Sequence, residues 1–499
     1  MNPDDTASVN DEQAHSTDAW LALAQEHYAR ARYAEALSVF ERLCADDPHH
    51  AAACAGRAHT LYALGQLAEA VEAYSRALTL ISDDASLYLH FGTLLKKLGL
   101  YVQAEALLRE ALRLAPHSTQ AANNLGNLLS RLMRYDEALA CFEYARALAP
   151  DDAEILNNMG LCWRVQCRTE RALACYEAAL RLAPNDPRFR WNYALALLLA
   201  GQMAAAWPYY EARWDVPDSA PRYPFPRDQV WNGQALLGTT LLLWHEQGLG
   251  DTLQMARFLP LLREQHPAAR LVLRCPTTFH RLFASFALEL LAPDAPVPSF
   301  DTHLPLMSLP RLFETTLATL PTHTPYLTPP PSVLAAWQTQ LGPRTARPRI
   351  GIAWASGRWS VGQDDLDRQT RQLPQVELER LLAVETVEWI NLQLGEPLPP
   401  QTALRDFSEQ INDFADSAAL VSLLDAVVCV DTAVAHLAGA LNVPVYVLLR
   451  SESGHFFMTQ NEYMPWYPSM QLCRQREPGR WCEPVDQAIQ KLTALLNQF

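Results

Sequence analysis

The sequence predicts an α-solenoid of helical repeats followed by an α/β region with two parallel-sheet lobes. Three observations carry this expectation. Pro48, Ser82, Pro116, Pro150 and Pro184 stand 34 residues apart. Beyond Gly233, short apolar runs alternate with amphipathic helices, which is the texture of a parallel sheet covered on both faces. Between the two textures lies DVPDSAPRYPFPRDQVWNG, whose prolines forbid continued helix.

Within the repeats a small residue recurs as Ala36, Ala70, Ala104, Ala138, Ala172 and Ala206, and a large one as Phe40, Tyr74, Leu108, Phe142, Tyr176 and Tyr210. Gly92, Gly126 and Gly160 fall where the first helix of a repeat must approach the second closely. A 34-residue period with this order of Gly, Ala, aromatic and Pro is the signature of the tetratricopeptide repeat (TPR). The array occupies 17–218, about six repeats, behind a polar segment 1–16 expected to be disordered. Asn124, Asn158 and Asn192 share one repeat position on the first helix, where earlier copies carry Ala22, Gly56 and His90. An amide both donates and accepts, as an extended peptide backbone does. These three are candidate acceptor-binding residues; the alternative is that they tie neighbouring helices together.

The apolar runs of the second region are 240–246, 270–275, 303–309, 349–355, 387–394, 425–432 and 443–449. PYLTPPP (325–331) divides them, since such a run cannot sit inside a sheet. Two Rossmann-like lobes are expected, 219–328 and 329–499, with a cleft between them and a closing helix from about Val485 to Phe499.

The 499 residues carry a net charge of −15, which argues against nucleic acid or an anionic membrane as partner. Ten cysteines form no CxxC pair and read as small buried hydrophobes of a reducing compartment. MNPDDTASVNDEQ lacks the apolar core of a secretory signal, and no apolar run reaches the roughly 20 residues of a membrane span. A cytoplasmic protein is expected.

Ligands of open parallel sheets sit beyond the carboxyl ends of the strands, and two loops have the composition for it. In HEQGLGDTLQMARFL, Gly248 and Gly250 allow a sharp turn after a strand, and Asp251 stands where a helix begins; a plain helix cap is the alternative. In VVCVDTAVAHLAGALNVPVYVLL, a strand ends at Asp431 and Thr432 and a helix with a small-residue face starts at once. Its free N–H groups suit a diphosphate, and Thr432 and His436 share one helix face. The alternative is a capped helix with a core histidine.

GLGDTLQMARFLPLL (248–262), GIAWASG (351–357), INLQLGE (390–396), DFADSAALVSLLDAVVCVDTAVAHLAGAL (413–441) and PWYP (465–468) together resemble the bacterial heptosyltransferase-like glycosyltransferases of the GT-B fold. Behind repeats, the layout resembles the TPR-containing glycosyltransferases, a group that includes flagellin glycosyltransferases, and is similar to that of the O-GlcNAc transferase, whose asparagine ladder clamps its acceptor.

The resemblance implies Asp251 as general base and Asp431, Thr432 and His436 as donor contacts, with Gly248, Gly250 and Gln393 beside the donor. It expects a lysine after Ala355; GRWSVGQDDLDRQTRQLP has none, and Arg358, Arg368 and Arg371 are the available cations. Asp365, Leu366 and Asp367 spell the DxD of metal-dependent transferases, but the segment reads as a solvated hairpin and no metal is expected. A second departure is RSESGHFF (450–457), where related proteins carry a Pro- and Trp-containing loop.

The implied function is transfer of a sugar from a nucleotide sugar, the co-substrate, to Ser or Thr of a protein held by the repeats, with flagellin the leading candidate and no cofactor. A catalytically inactive scaffold and a transferase acting on a lipid-linked saccharide are the alternatives.

Overall fold

In this computed structural model the chain is described over residues 4–216, 224–356, 371–400, 403–451, 454–458 and 462–497, with residues 4–16 described for their backbone alone. Twelve helices open it: α1 (Asp4–Ala29), α2 (Tyr33–Asp46), α3 (Ala51–Ala63), α4 (Leu67–Leu80), α5 (Ala85–Lys97), α6 (Tyr101–Leu114), α7 (Thr119–Arg131), α8 (Tyr135–Leu148), α9 (Ala153–Val165), α10 (Thr169–Leu182), α11 (Pro187–Leu199) and α12 (Met203–Tyr210). The segment expected to be disordered is instead helical from Asp4, because no Gly or Pro interrupts the chain between there and Ala29.

The repeat register has a physical basis at both ends of each helix pair. The side chains of His50, Asp84, Ser118, Asp152 and Asp186, again 34 apart, accept backbone N–H groups of the helices they precede. All six recurring alanines are fully buried, and the large residues four places on are at most 2% exposed. A Cβ built on Gly126 would come within 2.7 Å of the Phe142 ring, and one on Gly92 within 2.9 Å of Leu108. Only glycine lets those helices touch.

Packing divides the chain into two compact units, Met1–Cys162 and Trp163–Phe499. The helices end near 216, but the boundary falls earlier, because α10–α12 share a core with the α/β region. Ala172, Tyr176, Trp207 and Tyr210 belong to the same apolar cluster as Leu241 and Leu253.

The second unit carries two wholly parallel sheets. The first joins β1 (Thr240–Trp244), β2 (Arg270–Arg274), β3 (Glu289–Leu291) and β4 (Thr302–Pro305) in the order β3-β2-β1-β4. The second joins β5 (Arg349–Ala353), β6 (Glu388–Asn391), β7 (Ala426–Val430), β8 (Val445–Leu449) and β9 (Met470–Arg474) in the order β6-β5-β7-β8-β9. The run 303–309 is strand only as far as Pro305 and then turns into short helix. Strands β3 and β9 add to the seven expected.

Helices α13 (Leu249–Met255), α14 (Phe258–Gln265), α15 (Pro331–Leu341), α16 (Gln375–Leu382), α17 (Phe414–Ser422), α18 (Ala433–Ala440) and α19 (Cys482–Leu496) accompany the sheets. Along β7 the pleat sends Val427 and Cys429 into one core and Ala426, Val428 and Val430 into another that includes Trp481, Val485 and Leu492. Both faces are therefore buried, as the unbroken apolar run required.

Candidate functional site

Each sheet has one place where the strand order reverses, between β1 and β4 in the first and between β5 and β7 in the second. A crevice opens outside the carboxyl ends at such a point. The loop carrying Gly248, Gly250 and Asp251 leaves β1, and the loop carrying Asp431 and Thr432 leaves β7. Both loops thus lie at the switch points of their own sheets.

The floor under the first loop is a buried ion network. Arg213 forks onto Glu246, with Nε to Oε2 and Nη2 to Oε1 both 2.9 Å, and Nη2 also donates to Ser308 Oγ at 2.9 Å. Glu246 Oε1 accepts the Met307 N–H at 3.1 Å, which ties the end of β1 to the end of β4. The side chains of Arg213 and Glu246 are 6% and 2% exposed. Sequence reasoning missed this pair, because its partners are 33 residues apart and follow no period.

Asp251 sits on that floor. Its Oδ2 accepts the Gly248 N–H at 3.0 Å, so the carboxylate does cap α13, reaching back from the third helical position. Desolvation raises its pKa to about 7, the Gly248 N–H pulls it down, and the charges of Asp431 and Glu246 push it up. Two carboxylates from different lobes therefore act on one another.

Helices α13 and α18 meet at Gly250, where a Cβ would come within 2.8 Å of His436 Cδ2. His436 is 7% exposed and its Nδ1 lies 3.2 Å from Tyr467 Oη. Burial, aided by Arg257, lowers its pKa to about 3, so the ring is neutral. Arg257 donates to the carbonyls of Pro321 at 2.9 Å and Trp466 at 2.6 Å and lies over the Tyr326 and Tyr467 rings. This seam holds the start of α18 opposite Asp251.

Thr432 is 8% exposed and precedes α18 without a side-chain capping bond. Its Oγ1 has no N or O partner, although the Cys429 thiol lies beside it. Gln254, one turn beyond Gly250, is fully buried with neither amide atom paired. Asp431 has its carboxyl pKa raised by burial and drawn back by Arg371 and Arg450.

Gln393 is placed otherwise than expected of a donor ligand. Its Oε1 accepts the N–H groups of Trp354 at 3.0 Å and Ala355 at 2.8 Å, and its Nε2 donates to Leu394 O. With both amide atoms engaged, it supports the loop after β5. Arg358, Arg368, Asp365 and Asp367 lie outside the described residues. Among the described residues no group of three or more His, Cys, Asp or Glu could hold a metal ion, and no helix is long and apolar enough to cross a membrane.

The candidate asparagines bond sideways along the array. Asn124 Nδ2 donates to Thr93 Oγ1 at 3.1 Å, and Asn158 Nδ2 to Asn123 Oδ1 at 3.0 Å, each partner lying in the preceding repeat. Asn192 is half-buried on α11.

Residues 412–487 match the profile of glycosyltransferase family 9 (heptosyltransferase). That span holds β7, α18, Asp431, Thr432 and His436. Residues 27–91, 95–161 and 153–186 match tetratricopeptide repeat profiles. The chain joins TPR repeats to a segment that matches the family 9 glycosyltransferase profile.

Protein FlbA of Caulobacter vibrioides is 28% identical to this TPR chain over 295 residues, which cover 53% of the chain and 48% of FlbA. The chain thus spans about half the length of the curated relative it matches. Among solved repeat proteins, the thermophilic TPR protein TTC0263 of Thermus thermophilus is 28% identical, covering 36% of this chain and 99% of its own with a TM-score of 0.31. YrrB, a TPR protein with an unusual peptide-binding site, is 22% identical, with 37% and 94% covered and a TM-score of 0.33.

Proposed function

We propose that the chain is a cytoplasmic glycosyltransferase that moves a sugar from a nucleotide sugar to a Ser or Thr hydroxyl of a protein held by the repeats, with flagellin the first acceptor to test. The observation that carries this reading is the pairing of two switch-point loops, one presenting a half-buried carboxylate and the other a helix N-terminus with an unsatisfied hydroxyl, inside a unit whose 412–487 segment matches family 9.

Asp251 takes the proton of the acceptor hydroxyl, and a pKa of about 7 suits a base working near neutrality. The hydroxyl oxygen attacks the anomeric carbon, the bond to the diphosphate oxygen breaks, and the configuration inverts in this single displacement. The start of α18 and Arg371 stabilise the departing diphosphate, so no metal is required. Intact mass spectrometry of candidate acceptors from cells with and without the gene tests the reading. A glycosyl mass increment that depends on the gene supports it, and identical masses for every candidate count against it.

A further inference from the structure

Helices α2 and α3 approach closely at the junction of the first two repeats. A Cβ built on Gly56 would come within 2.3 Å of the Phe40 ring, and Cys44 stands one turn beyond Phe40 on the same face of α2. That approach brings Cys44 Sγ, in the last turn of α2, to 3.7 Å from Cys54 Sγ, in the first turn of α3. Both thiols are free. Cys54 is 4% exposed, whereas Cys44 is partly open to solvent. Packing alone does not demand the pair, because the later junctions carry Leu78 and Tyr88, Leu112 and Ala122, Arg146 and Leu156, and Leu180 and Arg190 at the same two positions. Only the first junction sets two thiols against each other.

We infer that Cys44 and Cys54 form an oxidative modification site, a dithiol that a small disulfide such as oxidised glutathione converts to an intrachain disulfide between α2 and α3. The thiolate of Cys44, the sulfur that solvent reaches, attacks one sulfur of the small disulfide and expels the other as a thiolate. Cys54 then loses its proton and attacks Cys44 Sγ, which expels the second thiolate. Two cysteine sulfurs are oxidised, one external disulfide is reduced, and the two protons pass to the expelled thiolates. The new bond is about 2.0 Å long, so the sulfurs close the remaining gap by turning about their Cα–Cβ bonds. Burial and the Cys54 thiol raise the Cys44 pKa to about 12, against the pull of Arg57 and Arg76. Thiolate is therefore scarce at neutral pH, which makes the exchange slow. Where it comes to rest depends on how close the fold holds the two sulfurs. A rise in the disulfide-to-thiol ratio of the surroundings closes the link, and a fall opens it.

Trypsin cuts after Arg42 and Arg57 and nowhere between them, so the peptide 43–57 carries both cysteines. The native full chain is equilibrated with graded ratios of reduced to oxidised glutathione, its free thiols are alkylated, and this peptide is weighed. As oxidised glutathione rises, the peptide should pass from a doubly alkylated form to an unalkylated one two hydrogens lighter than the dithiol. Excess reduced glutathione should restore the first form. Cys44→Ser and Cys54→Ser should yield no light peptide. The oxidised chain should also melt higher than the reduced one, because the link closes a loop in the unfolded state, and neither serine variant should show that difference. A peptide doubly alkylated at every ratio in the native chain, or linked only after unfolding in urea, overturns the proposal. A stable glutathione adduct on Cys44 with Cys54 left free also overturns it, since the fold would then be keeping the sulfurs from meeting.

Discussion

At Asp251 the chemistry and the stability of the protein pull in opposite directions. Its folded pKa, about 7, lies above the 3.8 of a free carboxyl. A raised acid pKa means the folded state holds the proton more tightly, so this group's contribution is fully present below pH 3.8 and is lost as pH rises through about 7. Asp251→Asn should accordingly melt higher than wild type at pH 8, by on the order of 1 kcal/mol after discounting for solvent, and match it only at a pH below the free-carboxyl value of 3.8. Equal melting at pH 8 would refute the burial account. The base role has the opposite pH sense: kcat/KM should rise with pH through an apparent pKa near 7, read from an initial-rate profile between pH 5 and 9. Gln254 extends the theme, because a fully buried amide with no partner costs stability. Gln254→Leu should stabilise the fold by roughly 1 kcal/mol, as measured by urea denaturation.

The elements were legible where local pattern decides them. Ala138 and Phe142 could be placed from the sequence because every repeat offers the same register, and β7 because five apolar residues in a row admit only a strand buried on both faces. β3 escaped notice as a three-residue strand at the sheet edge, and β9 because MQLCR interrupts its apolar run with Gln471. Long-range pairings left no trace in the sequence. Neither the Arg213–Glu246 fork under the Asp251 loop nor the position of Arg450 beside Asp431 can be read from spacing. Gln393 illustrates the converse: a glutamine just past a strand reads as a ligand until its amide is seen holding Trp354 and Ala355. The fork gives a sharp expectation. Glu246→Ala leaves a buried guanidinium uncompensated and should cost roughly 3–5 kcal/mol, while Glu246→Gln, which keeps the Met307 N–H satisfied, should cost less; equal, small losses in urea melts would contradict it.

At the scale of the whole chain, the proposed function assigns recognition to the repeats and chemistry to the lobes. Replacing Asn124, Asn158 and Asn192 together with alanine should raise KM for a protein acceptor by about tenfold while hydrolysis of the donor by water stays unchanged. Loss of both activities in a folded variant would argue that the asparagines only brace neighbouring repeats, as the bonds to Thr93 and Asn123 also allow. The central claim is that Asp251 is the base of a sugar transfer, and the most direct measurement compares purified wild type and Asp251→Ala on nucleotide sugars, by calorimetry for binding and by product mass for transfer. The account predicts donor bound equally by both proteins, with transfer lower in the variant by roughly 10²- to 10⁴-fold. Transfer at the wild-type rate by Asp251→Ala would contradict it.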